Sequence, residues 1–118
     1  MEILKALSHE NRLRILNLLK VSELCVCELE HIMGVNQSNA SRHLIKLKQA
    51  DLIKAEQKAQ WVYYSLNPKI VEVHPFIQKI IDDELEELAL CQEDNKKLAN
   101  YQDSGFTCAD LRRGLKTE

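Results

Sequence analysis

A single glycine constrains this chain more than any other residue. Gly34 parts two apolar stripes, Val26, Leu29, Ile32 and Met33 before it and Ala40, Leu44 and Leu47 after it, each at helical spacing. A glycine just past the last periodic residue takes the left-handed conformation that closes a helix. Asn36 or Gln37 opens the next helix only a few residues later. Two short helices joined through so brief a glycine-bearing turn make a helix-turn-helix.

The flanking segments extend this pattern. Ile3, Leu4 and Leu7, then Leu13, Ile15, Leu16, Leu18 and Leu19, predict two short helices, the second capped by Ser8. Ser22 is placed to cap, or just precede, the helix carrying Val26 to Met33. Leu52–Glu56 and Trp61–Leu66 are rich in β-formers and separated by polar Gln57–Gln60, which predicts a β-hairpin. After Asn67-Pro68, residues 69–99 carry Ile70, Val73, Ile77, Ile80, Ile81, Leu85, Leu88 and Leu98 and are expected to be mainly helical, with Pro75 as a kink or a start. Thr107 and Asp110 are spaced to cap one terminal turn. The expected fold is mainly α with a small β-hairpin, a winged helix-turn-helix. Residues 1–100 are expected to form one DNA-binding domain, and residues 101–118 a flexible tail.

The second helix of the motif is polar where it opens. Gln37, Ser38, Asn39, Ser41, Arg42 and His43 crowd its first two turns, the part that enters a major groove in helix-turn-helix proteins. Gln and Asn pair with adenine, Arg with guanine, and Ser with base or phosphate. The expected base readers are Gln37, Ser41 and Arg42, with Ser38, Asn39 and His43 shared between phosphates and bases. His43 has an alternative reading as a buried hydrogen-bonding residue. Lys54 and Lys58, on or near the hairpin, are placed to meet backbone phosphates. The formal charge is −2 overall, yet the signs are segregated. Arg42, Lys46, Lys48, Lys54 and Lys58 crowd residues 36–60, whereas residues 80–103 are strongly acidic. A basic centre and an acidic end suit a reader of double-stranded DNA whose other face looks away from the phosphates. With 3 glycines, no Gly-rich phosphate loop and no placeable nucleophile–base pair, the chain does not read as an enzyme. It lacks an apolar run long enough for a bilayer, so it is expected in the cytoplasm, off the membrane, with its four cysteines reduced.

Four stretches carry a family resemblance: Ala6-Leu7-Ser8-His9-Glu10-Asn11-Arg12-Leu13-Arg14-Ile15-Leu16, Glu23-Leu24-Cys25-Val26-Cys27-Glu28-Leu29, Gln37-Ser38-Asn39-Ala40-Ser41-Arg42-His43-Leu44 and Val62-Tyr63-Tyr64-Ser65-Leu66. In these the chain resembles the ArsR/SmtB family of bacterial metal-responsive repressors, most closely its arsenic-repressor branch, from about residue 3 to residue 90. The resemblance implies a homodimer joined through first and last helices. It also implies that a thiophilic ion relieves repression of operator DNA.

Cys25 and Cys27 are then the expected ligands. In a regular helix, side chains two apart point about 200° from each other and cannot share an ion. In extended backbone they fall on one side. Ion binding at this pair therefore demands a distorted helix start, next to the helix that reads DNA. Thiolates suit soft ions such as As(III), Sb(III), Cd(II) or Pb(II). As(III) and Sb(III) are the expected inducers and prefer three sulfurs. Some arsenic repressors carry a third cysteine where this chain has Glu30, so the third ligand stays open among Cys108, the better placed, Cys91 and an exogenous group. A Cd(II)- or Pb(II)-responsive repressor and a thiol redox-sensing repressor are the alternatives. The zinc-type set near Glu72 and His74 lacks its second histidine and is incomplete.

Overall fold

In the computed structural model, which describes residues 2–114, the elements follow the predicted order. They are α1 (Glu2–Ala6), α2 (Glu10–Val21), β1 (Leu24–Cys25), α3 (Val26–Met33), α4 (Gln37–Gln49), β2 (Ile53–Lys58), β3 (Trp61–Leu66), α5 (Pro68–Val73), α6 (Pro75–Lys79), α7 (Ala89–Ser104) and α8 (Cys108–Arg112). Gly34 closes α3 at φ 70°, and the Asn36 side chain caps α4 by accepting from the Asn39 amide. Ser8 does not cap α2. His9, not Ser8, accepts from the Asn11 amide, while the Ser8 hydroxyl donates to the Lys5 carbonyl.

The hairpin is present and gains a strand that periodicity did not reveal. The sheet runs β1-β3-β2, all antiparallel, with Leu24 opposite Tyr64 and Cys25 opposite Tyr63. Two residues are too few for an alternating pattern, and β1 exists only because β3 offers it a partner. Ser22 therefore stands outside the strand, and Cys25 is the extended residue at the front of α3. The core forms where α2, α3 and α4 meet, from Ile15, Leu16, Leu18, Leu29, Ile32, Leu44 and Leu47, all essentially without solvent contact.

Residues 69–99 are less regular than a single helix. His74 leaves helical geometry at ψ 82°, ahead of Pro75, which disfavours helical backbone in its predecessor. A π-helical turn (Ile80–Glu84) and a 3₁₀ turn (Leu85–Glu87) follow, and Leu88 is extended before α7 begins. Ile77, Ile81, Leu85 and Leu98 are buried as the stripe requires, but Val73 and Leu88 face solvent. Beyond residue 100, where sequence predicts a flexible tail, α7 continues to Ser104 and α8 packs on α3; residues 115–118 lie outside the described residues. Thr107 and Asp110 cap α8 as their spacing suggests.

Candidate functional site

The outer face of α4 is built by exclusion. Ala40, Leu44 and Leu47 are committed to the core, which leaves Gln37, Ser38, Arg42, Lys46 and Lys48 exposed and Ser41 half-buried. Ile45 joins this face, an exposed apolar side chain (56%) that sequence reading passed over. A side chain of that kind can pack on a thymine methyl. Asn39 is partly withdrawn: its Oδ1 accepts from Asn11 of α2 at 3.3 Å.

His43 takes its alternative reading as a buried residue, but without the hydrogen bonds expected of it, and not that of a DNA contact. It is 2% exposed, its ring 4.3 Å from that of His9, and both ring nitrogens lack a hydrogen-bond partner. It cannot reach DNA from this position. Burial first, then the charges of His9, Arg12 and Arg42, lower its pKa to about 4. On the wing, Lys54 is exposed. Lys58 is exposed too, but its ammonium lies 2.5 Å from Glu23, and that hydrogen bond raises its pKa.

The cysteines are arranged differently from a row of reduced thiols. Cys25 and Cys108 are joined as a disulfide, because α8 docks on α3 and brings Cys108 to the front of that helix. Both sulfur atoms belong to buried residues, and Tyr63 Oη of β3 lies 3.7 Å from Cys108 Sγ. Glu28 completes the cluster. One oxygen of each donor, or its sulfur, lies within 4.8 Å of the others in the set Cys25, Glu28 and Cys108. The Glu28 carboxylate accepts from the Cys25 amide at 3.0 Å and from Tyr101 Oη of α7 at 2.5 Å. Burial and that carboxylate push the Tyr101 hydroxyl pKa upward. Sequence reading missed both partners: Glu28 was hidden inside the Cys-x-Cys stretch, and Tyr101 lies 73 residues away from it.

Cys27 falls outside this cluster. It sits in the first turn of α3, half-buried and free, beside a cleft of about 200 Å³ lined by Gln37, Gln60, Trp61, Val62 and Arg112. Burial raises its thiol pKa and Arg112 opposes that rise. Trp61 anchors the wing edge, with the Arg112 guanidinium over its ring at 5.6 Å. Cys91 is free and fully buried on α7, and burial raises its pKa first of all. It is not in the cluster with Cys25.

A polar network links these regions. Arg14 of α2 donates twice to Asp94 of α7, both at 2.8 Å, and once to the Met33 carbonyl at the end of α3. Its third nitrogen, Nη1, donates to Asn11 Oδ1, and Asn11 in turn donates to Asn39 on α4. The pair is buried, and the bond to Asp94 raises the Arg14 pKa.

A three-helix core, a helix with a polar outer face and a hairpin beside it define a winged helix-turn-helix, a fold of DNA-binding regulators. Residues 9–55 match the family described as bacterial regulatory protein, arsR family. The chain is 37% identical over 82 residues to the arsenic resistance transcriptional regulator ArsR1 of Pseudomonas putida, covering 68% of this chain and 64% of that protein. To the arsenical resistance operon repressor of Staphylococcus xylosus it is 30% identical over 112 residues, 95% of this chain and 90% of that one. Among solved structures, the homodimeric winged helix-turn-helix domain of Mb0332 from Mycobacterium bovis superposes with a TM-score of 0.60 at 30% identity, covering 75% of this chain and 82% of that one. This chain belongs to the arsR family of bacterial regulatory proteins. No helix among the described residues is long and apolar enough to cross a membrane.

Proposed function

We propose that this protein is a dimeric cytoplasmic repressor that holds operator DNA through α4 and the wing. As(III) or Sb(III), bound to the cysteine thiolates of Cys25, Cys27 and Cys108, releases it and so controls arsenic resistance. One observation carries the reading. Cys25 is at once the front of α3, a β-pairing partner of the wing residue Tyr63 and the covalent partner of Cys108. Anything that re-engages its sulfur acts on both DNA-facing elements. The reduced protein is the inducible form, since a disulfide has no thiolate to offer.

Three sulfurs suit a trivalent ion, and Cys27 supplies the third only if the first turn of α3 opens. The ion then needs no more than a higher affinity for the opened, DNA-incompetent shape. Gln37, Ser38, Ser41 and Arg42 make the DNA contacts from α4, with Asn39 as a partial contributor and Lys54 and Lys58 on the wing. The test is fluorescence anisotropy of the reduced protein on labelled DNA from its own promoter, titrated with arsenite. Cys25→Ser and Cys27→Ser should bind DNA normally and ignore arsenite. A Cys27→Ser protein that still lets go in arsenite misplaces the site.

A second reading follows from the disulfide itself: a thiol redox-sensing repressor in which making and breaking the Cys25–Cys108 bond sets DNA affinity. Peroxide-sensitive binding with arsenite absent would favour it.

A further inference from the structure

We propose that Glu28 forms, with reduced Cys25 and Cys108, a second donor set of two sulfurs and one oxygen that takes a divalent thiophilic cation such as Cd(II) or Pb(II). The proposal rests on reading Cys25 and Cys108 as the inducer site, and it adds a ligand and an ion class to that reading. In the oxidised state the two sulfurs are bonded to each other, and a Glu28 oxygen lies within 4.8 Å of both, all on buried residues, so reduction leaves two thiols beside a carboxylate. Once reduced, two thiolates and a carboxylate held in so dry a place repel one another, and a divalent cation removes most of that cost. A carboxylate oxygen is a poor partner for As(III) and an ordinary one for a divalent metal. The two ion classes would therefore use different third ligands, Cys27 for the trivalent ions and Glu28 for the divalent ones.

The route to the site balances. Two molecules of a small thiol reduce the Cys25–Cys108 bond, leave as their own disulfide, and pass two electrons and two protons to the protein sulfurs. On binding, the cation displaces both thiol protons to solvent. Glu28 also holds Tyr101 of α7 through its second oxygen. A cation that claims the carboxylate weakens this bond. Occupancy is thereby signalled to α7 without unwinding α3, whereas the all-sulfur mode has to open it.

The experiment uses the full chain, reduced, and reads Cd(II) affinity from sulfur-to-metal charge-transfer absorption beside arsenite affinity on the same variants. Glu28→Gln should weaken Cd(II) about tenfold or more and leave arsenite unchanged. Cys27→Ser should do the reverse. X-ray absorption of the Cd(II)-loaded wild-type protein should count two sulfurs and at least one oxygen at the metal. Three sulfurs overturn the proposal. So does a Glu28→Gln variant that keeps wild-type Cd(II) affinity, because the oxygen is then solvent. Should Glu28→Gln fail to fold by circular dichroism, Glu28→Asp replaces it: a wild-type cadmium spectrum and affinity there, with three sulfurs in the absorption data, overturns the assignment. If Cys25→Ser binds both ions as tightly as wild type, the cysteine-site reading itself fails, a result separable from failure of Glu28 alone.

Discussion

At the residue scale, His43 shows how a polar label can mislead. Its spacing from Ala40 and Leu47 puts it on the buried stripe of α4, yet its chemistry suggested a DNA contact. The fold buries it against His9 with neither nitrogen paired. That has a consequence for acid stability. The folded pKa is lowered from 6.5 to about 4, so the unfolded chain takes up the proton first as pH falls. The contribution is complete above about 6.5 and is lost progressively toward pH 4, reaching roughly 3 kcal/mol at most. Urea unfolding across that window should show the loss in the wild type and a much flatter profile in His43→Leu. Equal profiles would assign the acid sensitivity to other groups.

At the scale of elements, what could be read ahead was whatever sequence periodicity controls. Gly34 and Asn36 marked the joint, and Trp61–Leu66 marked the returning strand, because local backbone and alternation decide those features. β1 could not be read, since two residues pair only once the wing exists. The breaks around His74 and Leu88 follow from packing that the apolar stripe alone does not encode. The approach of Cys108 to Cys25 across 83 residues was legible only through shared thiol chemistry, and the Arg14–Asp94 pair, 80 residues apart, through nothing in the pattern. The ion pair holds α2 to α7 and reaches the end of α3. Asp94→Ala should cost about 3–5 kcal/mol, because it strands a buried guanidinium. Arg14→Met combined with Asp94→Leu should recover most of that loss in denaturant unfolding. A double variant as unstable as the single one would mean the pair stabilises the fold in its own right.

At the scale of the molecule, charge partition decides how DNA is held. A net charge of −2 gives no general attraction to a polyanion, so in the proposed mode of binding affinity depends on the basic face of α4 and the wing. Each phosphate neutralised releases counterions and steepens the dependence of binding on salt by about 0.9 in log–log slope. The two wing lysines should not contribute equally. Lys54 is exposed, whereas Lys58 already holds Glu23 at 2.5 Å and must surrender that partner to meet a phosphate. Lys54→Ala should therefore weaken binding to all sequences alike and lower the slope by about one. Lys58→Ala should change the slope by a smaller amount. Glu23→Gln should raise affinity by freeing the ammonium. Arg42→Ala, on the exposed side of α4 proposed to enter the groove, should instead lose discrimination between operator and unrelated DNA, by about 1–3 kcal/mol. Anisotropy titrations of each variant over a range of salt, on operator and scrambled duplexes, separate these roles. Equal slopes for the two lysine variants would mean that the Glu23 pair opens on contact with DNA and that both wing charges face the phosphates.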